Sequence, residues 1–128
     1  MRKIIGMVLL AVVCGGARAD WVKVEGNAFV ASYADPATIL KAGDKVKMWA
    51  LTDFKTAIKN GGNPYLSKKT QHEYDCKESR WRLLEFSYYA ENMGKGKLVY
   101  SENGPGDWEA LMPGSGTRVR WKIACGKN

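Results

Sequence analysis

The chain has 128 residues, with 20 lysine and arginine residues against 13 aspartate and glutamate residues, a formal net charge of +7 at pH 7. This length fits one domain. The one long uncharged apolar run covers residues 4–13, about half of the roughly 20 residues that a membrane-spanning helix needs, so the sequence predicts no transmembrane helix.

The first residues have the three-part organisation of a secretory signal peptide. A positively charged start precedes the apolar run at 4–13, and Ala17-Arg18-Ala19 then places small residues at the −3 and −1 positions of a signal peptidase site. We therefore predict a signal peptide over residues 1–19 and an exported mature domain over residues 20–128.

Cys14 offers an alternative end to the same segment. It lies near the end of the apolar run, where a lipoprotein keeps a lipidated cysteine. The residue before it, Val13, is branched and bulky, whereas a lipoprotein peptidase prefers a small residue there. We favour cleavage after Ala19, and a membrane tether is expected only if Cys14 is lipidated.

Cleavage after Ala19 leaves two cysteines, Cys76 and Cys125, and lowers the net charge to +4 because three cations are removed. An even pair of cysteines in an exported chain predicts a disulfide. The chain has no C-x-x-C spacing and a single histidine, so we predict no metal site and no cofactor. Export also argues against a nucleic-acid partner, despite the basic charge.

Strand patterns dominate the mature domain. Gly- and Pro-containing stretches separate them, and residues 41–44 predict a hairpin turn. We expect Asp35-Pro36 to end the second strand, because proline has no N–H to donate. Residues 55–64 predict a loop. The predicted strands cover residues 21–24, 28–33, 45–54, 67–76, 80–90 and 97–101.

The last segment, residues 115–125, fits two structures. Val119, Trp121 and Ile123 alternate with charged residues, which favours a strand. Ser115, however, is suited to cap the start of a helix and Gly126 to end one. The pattern alone favours a strand.

No arrangement of residues indicates catalysis, and we predict a protein that is not an enzyme. His72 has no second histidine four residues later and no partner motif, so we interpret it as a surface histidine. Asp53, Glu73 and Asp75 have no spacing typical of a paired-carboxylate hydrolase. We interpret them as solvated strand residues and turn caps.

Positive charge is concentrated in residues 41–69, which hold seven lysines against two aspartates. A lysine-rich solvated face that protects a sheet edge explains such a stretch, and so does a contact surface for an acidic partner. Trp108 lies in a Gly/Pro loop, and tryptophan is enriched at binding hot spots. The candidate partner-binding residues are Lys45, Lys47, Lys55, Lys59, Lys68, Lys69 and Trp108.

Several blocks in this order resemble the surface-adhesin protein E family of Gram-negative bacteria. They include Tyr33-Ala34-Asp35-Pro36-Ala37-Thr38-Ile39, Val46-Lys47-Met48-Trp49, Tyr74-Asp75-Cys76-Lys77 and Trp121-Lys122-Ile123-Ala124-Cys125-Gly126. The resemblance covers nearly the whole mature chain and is carried by the order of the blocks and the placement of the cysteines.

The resemblance implies an α+β, mainly β domain. Its six-stranded antiparallel sheet carries a C-terminal helix held to it by the Cys76–Cys125 disulfide, so residues 115–125 are expected to be helical. The family takes its name from a member that binds host laminin, vitronectin and plasminogen and dimerises. A protein partner and a homodimer are therefore implied, at the periplasm or the outer-membrane surface. The alternative is a periplasmic accessory module that binds another envelope protein.

Overall fold

Six strands follow one another in the sheet in the same order as in the sequence, each antiparallel to the next. The structure is a computed structural model that describes residues 20–59 and 61–127. The predicted signal peptide, with Cys14, lies outside the described residues. The sheet strands are β1 (Val22–Gly26), β2 (Val30–Ala42), β3 (Lys45–Ile58), β4 (Tyr65–Asp75), β5 (Arg80–Tyr89) and β6 (Leu98–Asn103).

Two smaller elements and one helix complete the α+β fold. Strand β7 (Glu109–Ala110), which the sequence pattern did not predict, pairs with the start of β5. A 3₁₀ turn (Asn92–Gly94) precedes β6, and helix α1 (Gly116–Cys125) follows β7. The predicted six-stranded antiparallel sheet with a C-terminal helix is therefore confirmed. Within the described ranges, no helix is long and apolar enough to cross a membrane.

The prediction that Asp35-Pro36 ends the second strand is wrong. Strand β2 continues to Ala42, with a register shift between Asp35 and Leu40. Side chains take over the hydrogen bonds that the interrupted ladder lacks. Asp35 Oδ1 accepts from the Ala37 N–H at 3.1 Å, and Thr38 Oγ1 accepts from the Trp49 N–H at 2.9 Å. A β-bulge therefore accommodates Pro36 inside the strand.

The predicted loop at 55–64 begins too early, because β3 runs to Ile58. The hairpin turn between β2 and β3 is confirmed, and Gly43 has a φ of +64° there. This left-handed conformation is one that glycine adopts without steric cost.

Residues 116–125 form a helix and not the strand that their alternating pattern favours, because the residues at both ends cap a helix. Ser115 Oγ accepts from the Arg118 N–H at 3.1 Å, which satisfies one of the free donors in the first turn of α1. At the other end, Gly126 has a φ of +68°, and the Lys127 N–H donates to the Lys122 carbonyl at 2.8 Å. The helix implied by the family resemblance is confirmed.

Helix α1 packs against one face of the sheet, which we call the helix face. Trp121 and Ala124 are buried there with a cluster from three strands, Ala34, Val46, Met48 and Tyr74. Trp121 Nε1 donates to the backbone carbonyl of Asp75 at 2.9 Å. The Cys76–Cys125 disulfide, with the two Cα atoms 5.6 Å apart, joins the end of α1 to the chain just after β4. The predicted disulfide is confirmed.

The opposite face, which we call the outer face, is partly covered by the 3₁₀ turn. Asp53 Oδ1 accepts from the Met93 N–H at 2.8 Å and from Asn92 Nδ2 at 3.0 Å. Ser67, fully buried, donates to the Glu91 carbonyl and accepts from the Gly94 N–H. The turn is therefore fixed on the outer face by polar side chains of β3 and β4.

Candidate functional site

Strand alternation separates the predicted lysines between the two faces of the sheet. Lys45, Lys47 and Leu51 lie opposite Asp75, Glu73 and Lys69 in the β3–β4 register, which places Lys45, Lys47 and Lys69 on the outer face. Lys68 lies opposite Thr52 and is on the helix face. The predicted lysines therefore do not form one patch.

The acidic side chains on this part of the outer face are already engaged. Within the described chain, the ion pairs join Asp75 to Arg80 at 3.0 Å and to Lys45 at 3.7 Å, and Glu73 to Arg82 at 2.8 Å. Asp75 is buried and caps the β4–β5 turn, so the expectation of a turn cap is confirmed, whereas the expectation of a solvated carboxylate is wrong.

The turn also determines how Asp75 ionises. Burial raises the pKa of this carboxyl, but the hydrogen bonds from the Glu78 N–H, the Arg80 side chain and the Lys77 N–H outweigh burial. With the nearby Lys45 ammonium, they hold the pKa of Asp75 below its ordinary value. Asp75 is therefore a charged structural group at neutral pH.

Trp108 lies against the cations of this same network. The guanidinium groups of Arg80 and Arg82 are each 4.6 Å from the ring centroid of Trp108, and Lys45 Nζ is 5.9 Å from it. These are cation–π distances. The structure thus brings Trp108 together with one predicted lysine, Lys45. Arg80 and Arg82, which we did not predict as site residues, also contact Trp108. Their alternation along β5, opposite Asp75 and Glu73, could have indicated them.

Three of the predicted lysines, which we call the β3 lysines, stay exposed: Lys47 and Lys55 on β3 and Lys59 just after it. Among residues 20–59 and 61–127, none of the three takes part in an ion pair. Lys55 borders a groove of about 390 Å³ that also has Lys23, Asp53, Tyr33 and Phe54 in its lining, and Asp53 is hydrogen-bonded to the 3₁₀ turn. This part of the molecule therefore combines free positive charge with partly exposed aromatic rings.

A second cluster lies on the helix face, and the sequence reasoning did not predict it. His72 is buried, with its ring centroid 5.1 Å from that of Trp81, so the interpretation of His72 as a surface histidine is wrong. Burial, together with the positive charges of Arg120 and Lys68, lowers the pKa of His72 to about 3. His72 is therefore neutral at physiological pH.

The neighbours of His72 are shifted by the same causes. Burial lowers the pKa of Lys68, as does the charge of Arg120. Burial raises the pKa of Tyr74, and the nearby Arg120 guanidinium opposes that shift. The charged side chains of Lys68 and Arg120 thus lie near the neutral rings of His72 and Tyr74. Among the described residues, no group of three or more His, Cys, Asp or Glu side chains is arranged to hold a metal ion.

The fold and these surfaces define a small, disulfide-closed, mainly β domain with a charged outer face. The chain belongs to the surface-adhesin protein E family, whose model matches residues 21–126. It is thus a surface adhesin-like binding protein. No curated protein sequence matches the chain.

Solved structures show the same fold. Haemophilus influenzae protein E is similar with a TM-score of 0.66 and 14% identity, over 91% of each chain. A second crystal form of that protein gives a TM-score of 0.67 and 15% identity, over 91% of this chain and 97% of the other. Protein E from non-typeable Haemophilus influenzae gives 0.61 and 13%, over 91% and 83%.

Proposed function

We propose that this chain is an exported, non-catalytic protein that binds a host extracellular-matrix or serum protein at the bacterial surface. Membership of a surface-adhesin family supports a binding role. The observation that carries the proposed mode of binding is the exposure of the β3 lysines, none of which forms an ion pair within the described residues. Such charges attract an acidic partner and accelerate its association.

The groove beside Lys55 supplies the apolar part of the proposed interface. Tyr33 and Phe54 line it, and aromatic rings that become buried carry much of the energy of protein–protein contacts. Lys23 and Lys55 line the same groove, and such charges select an acidic partner and orient it, because charge complementarity contributes more to specificity and association rate than to affinity. The proposed interface therefore combines lysine charges with aromatic rings.

We expect the triple variant K47E/K55E/K59E to lose about tenfold or more in affinity for the partner, because each change replaces attraction by repulsion. The measurement is surface plasmon resonance of the mature domain over immobilised laminin and vitronectin. Wild-type binding is expected to weaken between about 0.05 M and about 0.5 M NaCl, since salt screens exposed charges.

The matched control is K77E/K95E/K97E, which makes the same change in net charge at three exposed lysines outside the proposed surface. It is expected to bind within about twofold of wild type. Equal losses in the two triple variants would show that net charge alone matters. Wild-type binding that salt does not affect would contradict the electrostatic account, and no binding to either protein would contradict the proposed partner class.

A further inference from the structure

A cleft opens on the helix face, between α1 and strands β3 to β5, on the opposite side of the sheet from Lys47. Its cavity of about 320 Å³ lies in the size range of small-molecule sites. Lys68, Thr70 and His72 from β4, and Arg120 from α1, line it. It is formed by the packing of the helix on the sheet.

Two residues that line this cleft, His72 and Arg120, have a buried polar atom without a hydrogen bond. In the part of the chain that the structure describes, the buried side-chain nitrogen or oxygen atoms with no hydrogen bond are His72 Nδ1, the Tyr74 hydroxyl and Arg120 Nε. His72 has 7% of its surface exposed and Tyr74 none. Buried polar groups in folded proteins are nearly always hydrogen-bonded, so the unpaired atoms on two residues that line the cleft, His72 and Arg120, point to a polar partner there.

The charge of the cleft indicates the sign of that partner. Lys68 and Arg120 are close enough to lower the pKa of His72 together, and neither makes an ion pair within residues 20–59 and 61–127. One acid, Glu109, lines the cleft from β7, beside Trp81. Two cations against one carboxylate leave a net charge of +1, which a ligand with a single negative charge neutralises.

The remaining wall is apolar and mostly aromatic, formed by Trp81, Leu83, Phe86 and Tyr88. A bare inorganic ion would leave this wall in contact with water. We propose that the cleft binds a small organic carboxylate with an apolar body, its carboxylate held by Arg120 and Lys68 and its body against the wall around Trp81. Guanidinium groups bind carboxylates in a fixed bidentate geometry, and Arg120 brings such a group to the lining of the cleft.

The test uses the mature domain and four probes: phenylacetate, hexanoate, the neutral phenylacetamide and inorganic phosphate. Isothermal titration calorimetry and the intrinsic tryptophan fluorescence of the domain follow binding. Phenylacetate is expected to bind with a Kd on the order of 1 mM or tighter, and phenylacetamide and phosphate at least about tenfold more weakly. No binding of phenylacetate or hexanoate at about 10 mM, or equal binding of phenylacetamide, would overturn the proposal. Equal binding of phosphate would overturn the assigned ligand class.

Two variants test the assigned cations. R120Q and K68Q are each expected to weaken phenylacetate binding about tenfold or more. The control R118Q changes a neighbouring arginine of α1 that is outside the cleft lining, and it should leave binding unchanged. An equal loss in R118Q would contradict the assignment. The triple variant K47E/K55E/K59E should bind phenylacetate like wild type. The cleft and the proposed protein-binding surface are therefore tested independently of each other.

Discussion

Replacing both cysteines, as C76S/C125S, is expected to lower the free energy of unfolding by about 4 kcal/mol. The two cysteines are 49 positions apart in the sequence. A disulfide that closes a loop of that size lowers the conformational entropy of the unfolded chain, which accounts for this magnitude. Helix α1 has ten residues, too few to be stable alone in water, and its attachment depends on two buried side chains, Trp121 and Ala124. Urea unfolding of the mature domain at 25 °C measures the effect.

Wild-type protein unfolded in the presence of a reductant serves as the control, because it has lost the same covalent bond without a change of sequence. Its free energy of unfolding should agree with that of C76S/C125S to within about 1 kcal/mol. A loss below about 1 kcal/mol in both cases would mean that packing alone holds α1 on the sheet.

The second large effect concerns pH. The pKa of His72 is about 3 in the folded protein and about 6.5 in the unfolded chain. Because the unfolded state binds the proton more tightly, the stability due to neutral His72 is complete above about pH 7. It is lost progressively as the pH falls from 6.5 toward 3. The groups that face His72 are Lys68, Arg120 and Tyr74, with Glu109 in the same cleft.

When the pH is lowered from 7.5 to 5, the free energy of unfolding of wild type is expected to fall by about 2 kcal/mol more than that of the variant H72Q. Glutamine is polar and does not titrate, so H72Q keeps the other pH-dependent groups and removes only this one. Urea unfolding at the two pH values gives the comparison. Parallel pH dependence of the two proteins would show that His72 is able to accept a proton without unfolding.

The fold was largely predictable, because local rules and the order of sequence blocks agree in most elements. The exceptions have physical reasons. Pro36 lies within a strand because Asp35 and Thr38 supply local hydrogen bonds that no periodicity reveals. Residues 116–125 alternate like a strand, yet Ser115 and Gly126 cap a helix whose buried Trp121 fixes it to the sheet.

The candidate sites were harder to predict, because they depend on which residues meet in space. A run of lysines in the sequence is divided between two faces, since neighbouring residues of a strand point in opposite directions. His72 and Arg120 are far apart in the chain and meet only when α1 docks. Nothing in the sequence around His72 indicates that it is buried next to two cations.

The central claim, that this is a binding protein of the bacterial surface, is tested most directly by locating the chain on cells. The full chain would be expressed in the bacterium that encodes it, with an epitope tag after Asn128. Added protease and antibody would then be compared on intact cells and on cells with a permeabilised outer membrane. We predict that the tag is removed by protease and detected by antibody on intact cells. Protection until the outer membrane is permeabilised would contradict the claim and place the partner in the periplasm.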